Sequence, residues 1–129
     1  MPRTKKSSVL KRGKKTTKMT EQVMNVQNPW FSLIKQGRKK IEGRLNKGKF
    51  AELKVGNVVI WENAGQKIRT KLTRIEHYKS FSDMLANEGL RNVLPDITTL
   101  EAGVGVYRQF YSAEKESMHG VLAIEVKLL

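Results

Sequence analysis

The sequence predicts an α+β domain: a small mixed β-barrel of about six strands with two or three flanking helices, preceded by a disordered basic tail. Three observations predict it. Short runs of alternating apolar residues recur along the chain, while the helical patterns are grouped rather than placed between successive strands, which disfavours a doubly wound parallel sheet. The stretch Lys67 to Tyr78 is long for one strand and changes its apolar parity midway, from Ile68, Thr70 and Leu72 to Ile75, as a bulged or sharply bent strand does in a curling sheet. Eight of the 25 Lys and Arg residues fall within the first 18 positions, with no acid and few apolar residues among them, too little buried surface to offset the entropy of ordering.

At 129 residues the chain is expected to hold one domain, residues 23–129, behind a tail of residues 1–22. The net charge of +13 points to a polyanionic partner, and 17 basic against 12 acidic residues remain once the first 18 positions are set aside. Arg3, Lys5, Lys6, Lys11, Arg12, Lys14, Lys15 and Lys18 are of the type that holds a nucleic-acid backbone by counterion release, or that serves as a nuclear import signal. A merely solubilising extension is the plain alternative. There are no cysteines, hence no disulfide framework and no thiolate zinc site. No apolar run nears the roughly 18 residues of a membrane span, and the N-terminus lacks a signal-peptide core, so an intracellular monomer, cytoplasmic or nuclear, is expected. His77 and His119 are the only histidines. Neither has a second ligand at useful spacing and no G-x-S-x-G elbow is present, so neither a metal, a cofactor nor a serine triad is expected.

In chain order, Val23 to Gln27 reads as a first strand. Asn28 suits a helix N-cap, Pro29 the first helical position, and Trp30, Leu33 and Ile34 one helix face ending at Gly37. The strand after Arg38-Lys39 alternates, with Ile41, Gly43 and Leu45 on one side and Lys40, Glu42 and Arg44 on the other. A turn at residues 46–49 and one helical turn at Phe50 to Leu53 lead to Gly56-Asn57 and the apolar strand Val58 to Glu62. Asn63-Ala64-Gly65 is a hairpin connection into the long return strand. Ser80 with Asp83 starts a helix that buries Phe81, Met84 and Leu85 and stops at Gly89. Leu90 to Leu94 adds a turn before Pro95. Thr98 to Glu101 starts a second helix with Leu100, Val104, Tyr107 and Tyr111 along one stripe. Gly103 and Gly105 each cost that helix about 1 kcal/mol relative to alanine, which implies a packing or close-approach requirement there. His119 to Leu128 closes the fold as a strand.

Lys39, Glu42 and Arg44 form the leading polar site. A lysine beside a carboxylate in a partly dry cleft stays charged and polarises a carbonyl, the glutamate takes a proton or accepts from an amino group, and the arginine clamps a phosphate or orients the glutamate. The plain alternative is a surface ion-pair ladder of little energetic weight. The ribbon Lys67, Arg69 and Lys71 suits a phosphate track or, equally, a solvated strand face. Trp30, next to the motif, suits base stacking, whereas Trp61 sits in an apolar strand and reads as core.

The order Gly37, Lys39, Glu42, Arg44, then Gly56-Asn57, Tyr78 and Phe81, the cluster Tyr107, Phe110, Tyr111-Ser112 and the closing strand Gly120 to Val126 is similar to the ASCH family, which shares its β-barrel with PUA domains. The resemblance runs from Val23 to Leu129. It implies a PUA-like barrel with a cleft suited to RNA or a nucleobase, lined by Lys39, Glu42 and Arg44 of the motif and by Tyr111 and Ser112; Trp30 and Lys40, beside the motif, are further candidate ligand contacts. The function it implies is an RNA-binding module that reads a nucleotide or nucleobase, aided by the basic arm; DNA is a further candidate partner. Alternatives implied by relatives are an N4-acetylcytidine amidohydrolase using Lys39, Glu42 and Glu88, or a protein-interaction adaptor in transcription. The position of the family's catalytic threonine holds Glu42, which supplies no hydroxyl nucleophile, so enzymatic activity stays open.

Overall fold

A computed structural model describes residues 21–129; the basic stretch from Arg3 to Lys18 and its expected disorder lie outside the described residues. Among the described residues the chain runs β1 (Glu21–Asn25), α1 (Trp30–Lys35), β2 (Ile41–Leu45), a 3-10 turn (Gly48–Glu52), β3 (Val58–Asn63), β4 (Gln66–Tyr78), α2 (Phe81–Glu88), α3 (Leu90–Val93), α4 (Leu100–Arg108), α5 (Ala113–His119) and β5 (Val121–Leu128). The strands make one sheet in the order β1-β3-β4-β5-β2, antiparallel except for the parallel β1–β3 pair.

The α+β class and the barrel-type sheet agree with the sequence, in the form of a curled half-barrel. Among the described residues five strands stand where about six were expected, and Gln66–Tyr78 runs as one strand through its bend, as the sequence predicts. Its first half pairs with β3, its second half with β5, and the register shifts between Leu72 and Arg74, where the apolar parity changes. Five helices occur among the described residues where two or three were expected. The additional ones are short: Leu90–Val93 forms a helix of its own, and Ser112 caps Ala113–His119 by accepting from Lys115 N. The first strand begins at Glu21, two residues before the expected boundary.

Both sheet faces are covered, as β5 shows residue by residue. Leu122 and Ile124 join a core with Met24, Val26, Val59, Trp61 and Leu72, covered by Phe31 and Ile34 of α1. Val121 and Ala123 join the opposite core with Ile41, Leu45, Phe81, Met84, Leu85 and Tyr107, beneath α2 and α4. Trp61 is wholly buried, and its indole N–H donates to Thr70 Oγ1 at 2.9 Å, whose hydroxyl donates to Val59 O. That satisfied chain makes Trp61 a core residue.

Candidate functional site

The site grows out of the turn between α1 and β2. Asn28 Oδ1 accepts from both Ser32 N and Ser32 Oγ and so anchors the start of α1. At its other end Gly37 adopts φ +79°, and the amides of Arg38 and Lys39 both donate to Leu33 O. This left-handed stop reverses the chain and turns Lys39 inward. Lys39 is 2 % exposed; its ammonium donates to Ile41 O at 2.8 Å and to Val93 O, lies 3.2 Å from Glu42 Oε1, and sits 5.7 Å from the Trp30 ring centre. Those three oxygens match the three N–H donors of a lysine.

Glu42 and Arg44 pair across the ladder with Ile124 and Leu122, so they share the face of the first core rather than facing water. Arg44 Nε lies 2.5 Å from Glu42 Oε2, and Arg44 Nη2 donates to Asn25 O at 2.6 Å. Because β1 and β2 are the two edges of the sheet, Arg44 bridges the gap the open half-barrel leaves. Its guanidinium also stacks 4.6 Å from the Phe50 ring centre and 5.7 Å from that of Trp61.

Beside this bridge is a cavity of about 230 Å³ whose walls include Trp30, Lys39, Glu42, Arg44, Tyr107 and Tyr111. Burial pushes the Glu42 pKa up, but Arg44 and Lys39 outweigh it and hold the carboxyl below its ordinary value. Burial lowers Lys39, with Glu42 opposing. Burial also opposes Arg44, yet Glu42 dominates and raises it. The arrangement is thus an ionised carboxylate clamped between two cations in a nearly dry site.

Gly43, between Glu42 and Arg44, faces the other way, paired with Ala123. A Cβ there would lie 2.7 Å from the Tyr107 hydroxyl and 2.8 Å from Met84 Cε. Tyr107 therefore lies directly against β2 backbone, its ring stacked on Phe81 with centres 4.1 Å apart and planes 7° apart. Its hydroxyl is buried with no hydrogen-bond partner among the described residues.

Of the residues singled out in the sequence, Trp30, Lys39, Glu42, Arg44 and Tyr111 converge on the cavity. Lys40 does not: it is exposed and borders shallow depressions with Gly37. Ser112 is engaged as the α5 cap. Glu88 needs correction as a partner of Lys39 and Glu42. Its carboxylate is held by Arg74, with Nη2 at 2.5 Å and Nη1 at 3.1 Å, and by Tyr78 Oη at 2.6 Å, and it does not line the cavity. The family resemblance implies a pairing with Lys39, and the end of α2 turns Glu88 toward β4 instead. Lys67, Arg69 and Lys71 are exposed on β4, with Arg69 3.1 Å from Glu21. Tyr107 enters the sequence reading on the buried stripe of α4 and in the aromatic cluster of the family resemblance, but not as a cleft residue; the glycine one turn before it is a further signal. Among the described residues no cluster of three or more metal-ligating side chains occurs, and no helix is long and apolar enough to cross a membrane.

The ASCH domain family matches residues 24–129. The chain belongs to the ASCH family. This ASCH domain is similar to the crystal structure of hypothetical protein PH0355, with 44 % identity over 84 % of this chain and 99 % of that one and a TM-score of 0.80. It is also similar to the solution structure of Protein PF0455 from Pyrococcus furiosus, with 45 % identity over 84 % of this chain and 97 % of that one and a TM-score of 0.72. No curated protein matches the chain significantly. The ASCH family is associated with nucleic acids in general.

Proposed function

We propose that this ASCH domain binds RNA and admits one nucleobase to the cavity between the edges of its half-barrel. The observation that carries the reading is the clamped Glu42. With Lys39 on one oxygen and Arg44 on the other, the carboxylate is ionised, oriented and still has lone pairs to accept from a base N–H or amino group. A volume of 230 Å³ is below the roughly 300–1,000 Å³ typical of drug-sized ligand sites, which favours a single flat ring. Trp30 and Tyr111 offer aromatic faces for stacking, and Arg44 engages only part of its five-donor fork in the contacts to Glu42 and Asn25.

Binding fits this geometry better than hydrolysis. Lys39 has its donors occupied by two carbonyls and Glu42, and so acts as a fixed charge rather than a nucleophile. Glu88, the third member of the hydrolase set, is tied to Arg74 and Tyr78. Outside the cleft, the basic arm and the Lys67, Arg69 and Lys71 ribbon add sequence-independent, salt-sensitive affinity.

Fluorescence anisotropy with short single-stranded RNA tests the reading. Glu42→Gln is expected to weaken binding at every salt concentration while leaving the salt slope alone. Deleting residues 1–18 is expected to flatten that slope by about 0.7 for each phosphate that is no longer neutralised. Full-strength binding by Glu42→Gln would show that the cleft takes no part in RNA binding.

A further inference from the structure

Among the described residues the Tyr107 hydroxyl is a buried polar group without a partner, and native interiors rarely leave one so. Nothing about its position is accidental. Gly43 has no side chain where the hydroxyl sits, and any Cβ would collide with it at 2.7 Å. On α4, Gly103 lies one turn before Tyr107, and a Cβ there would meet Leu85 Cδ1 and Leu90 Cδ2 at 2.9 Å each. Two close approaches thus bring this phenol against β2, and the Phe81 stack fixes its ring. Burial, reinforced by the nearby Glu42 charge, holds the phenol well above its ordinary pKa, so it keeps its proton. The side chain lines the same cavity as Glu42.

We infer that Tyr107 is a specificity-determining residue of this cleft: its hydroxyl donates to a carbonyl oxygen or unprotonated ring nitrogen of a flat nitrogen heterocycle whose neighbouring N–H group meets Glu42. The inference rests on the nucleobase-binding reading above and adds the second half of the recognition. An ionised carboxylate only accepts, whereas a protonated phenol has a hydrogen to give. Both residues line one cavity, and a donor with an acceptor there matches the alternation along the edge of a base. Both partners are held before the ligand arrives, Glu42 by two cations and Tyr107 by its stack, so little ordering entropy opposes binding.

The test uses the full chain, the four nucleoside 5′-monophosphates, and calorimetric titration of wild type and Tyr107→Phe. Tyr107→Phe is expected to melt at the same temperature as wild type or slightly higher, because the hydroxyl it removes has no partner among the described residues. It is expected to bind the best of the four about tenfold more weakly, near 1.4 kcal/mol. Where the acceptor is a ring nitrogen, the deaza counterpart of that base should bind wild type with a similar loss and Tyr107→Phe with no additional one. Where it is a carbonyl oxygen, the deaza base should bind wild type at full strength and Tyr107→Phe about tenfold more weakly. Equal affinity of wild type and Tyr107→Phe for a base that both bind would overturn the role of Tyr107 and leave the cleft reading standing. A melting temperature several degrees lower would also overturn it, since the hydroxyl would then be structural. Absence of binding by wild type to all four, with Glu42→Gln matching wild type on RNA, would sink the cleft reading and the inference together.

Discussion

Two clusters in this molecule have nearly the same composition and opposite character. In the cleft, Glu42 sits between Lys39 and Arg44; on β4 and α2, Glu88 sits between Arg74 and Tyr78. Glu42 and Lys39 are almost fully enclosed and border a cavity lined also by Tyr107, whose hydroxyl has no partner among the described residues. Glu88 is enclosed too, but Arg74 is 37 % exposed and also reaches Glu76 at 3.7 Å and Glu125 at 3.5 Å. The second cluster is satisfied and wet. What separates a binding site from a structural knot here is left-over hydrogen-bonding capacity next to empty space, and residue type alone does not reveal it.

The comparison breaks most visibly on removal of each carboxylate. Glu42→Ala leaves two buried cations facing one another, and truncating one partner of a buried charge network costs about 3–5 kcal/mol. Glu88→Ala loosens a partly solvated arginine and is expected to cost about 1 kcal/mol or less. Urea denaturation of both variants reads the difference directly. Comparable losses would mean that burial does not distinguish the two clusters. Nucleotide affinity should vanish with Glu42→Ala and stay unchanged with Glu88→Ala.

Acid titration sharpens the same contrast. Both carboxyls are held below the ordinary glutamate value of 4.5: Glu42 by Arg44 and Lys39 acting against its own burial, Glu88 first by its hydrogen bond to Arg74. A depressed folded-state pKa means that the unfolded chain binds the proton first. The associated stability is fully present above pH 4.5 and is lost as the pH falls through the depressed value. Stability measured between pH 7 and pH 3 should therefore fall less steeply in Glu42→Gln than in wild type. Glu88→Gln should change that slope less, because solvent screens Arg74.

Much of this organisation is legible from residues alone, and the parts that are not share a cause. The Gly37 stop and the bend after Leu72 announce themselves through local backbone chemistry. So does the alternation of β2, although alternation normally signals one wet face. Here both faces are dry, since α1 and its core cover one side and α2 and α4 the other. Which face Glu42 joins depends on its pairing with Ile124, a residue far away along the chain, and no local pattern encodes that pairing. Glu88 and Tyr107 elude a local reading for the same reason: a helix stripe says that a side chain is buried, and says nothing about whether its polar end meets a partner.

The two glycines of α4 give the smallest and most selective contrast. Both weaken the helix, yet their surroundings differ. A Cβ at Gly103 would press on Leu85 and Leu90 at 2.9 Å, whereas one at the exposed Gly105 would meet nothing within 4 Å. At Gly103 the alanine gain of about 1 kcal/mol in helix propensity is set against overpacking that typically costs about 1–3 kcal/mol. Gly103→Ala should thus be neutral to destabilising and should shift Tyr107 away from Gly43, lowering nucleotide affinity. Gly105→Ala has no such opposing effect and should raise stability by up to about 1 kcal/mol with affinity intact. Thermal melts and calorimetry on the pair separate the glycine that positions the cleft from the one that merely loosens its wall. If Gly105→Ala instead weakened nucleotide binding while stabilising the fold, flexibility of α4 would belong to ligand entry, and the cleft could no longer be described as fully formed before binding.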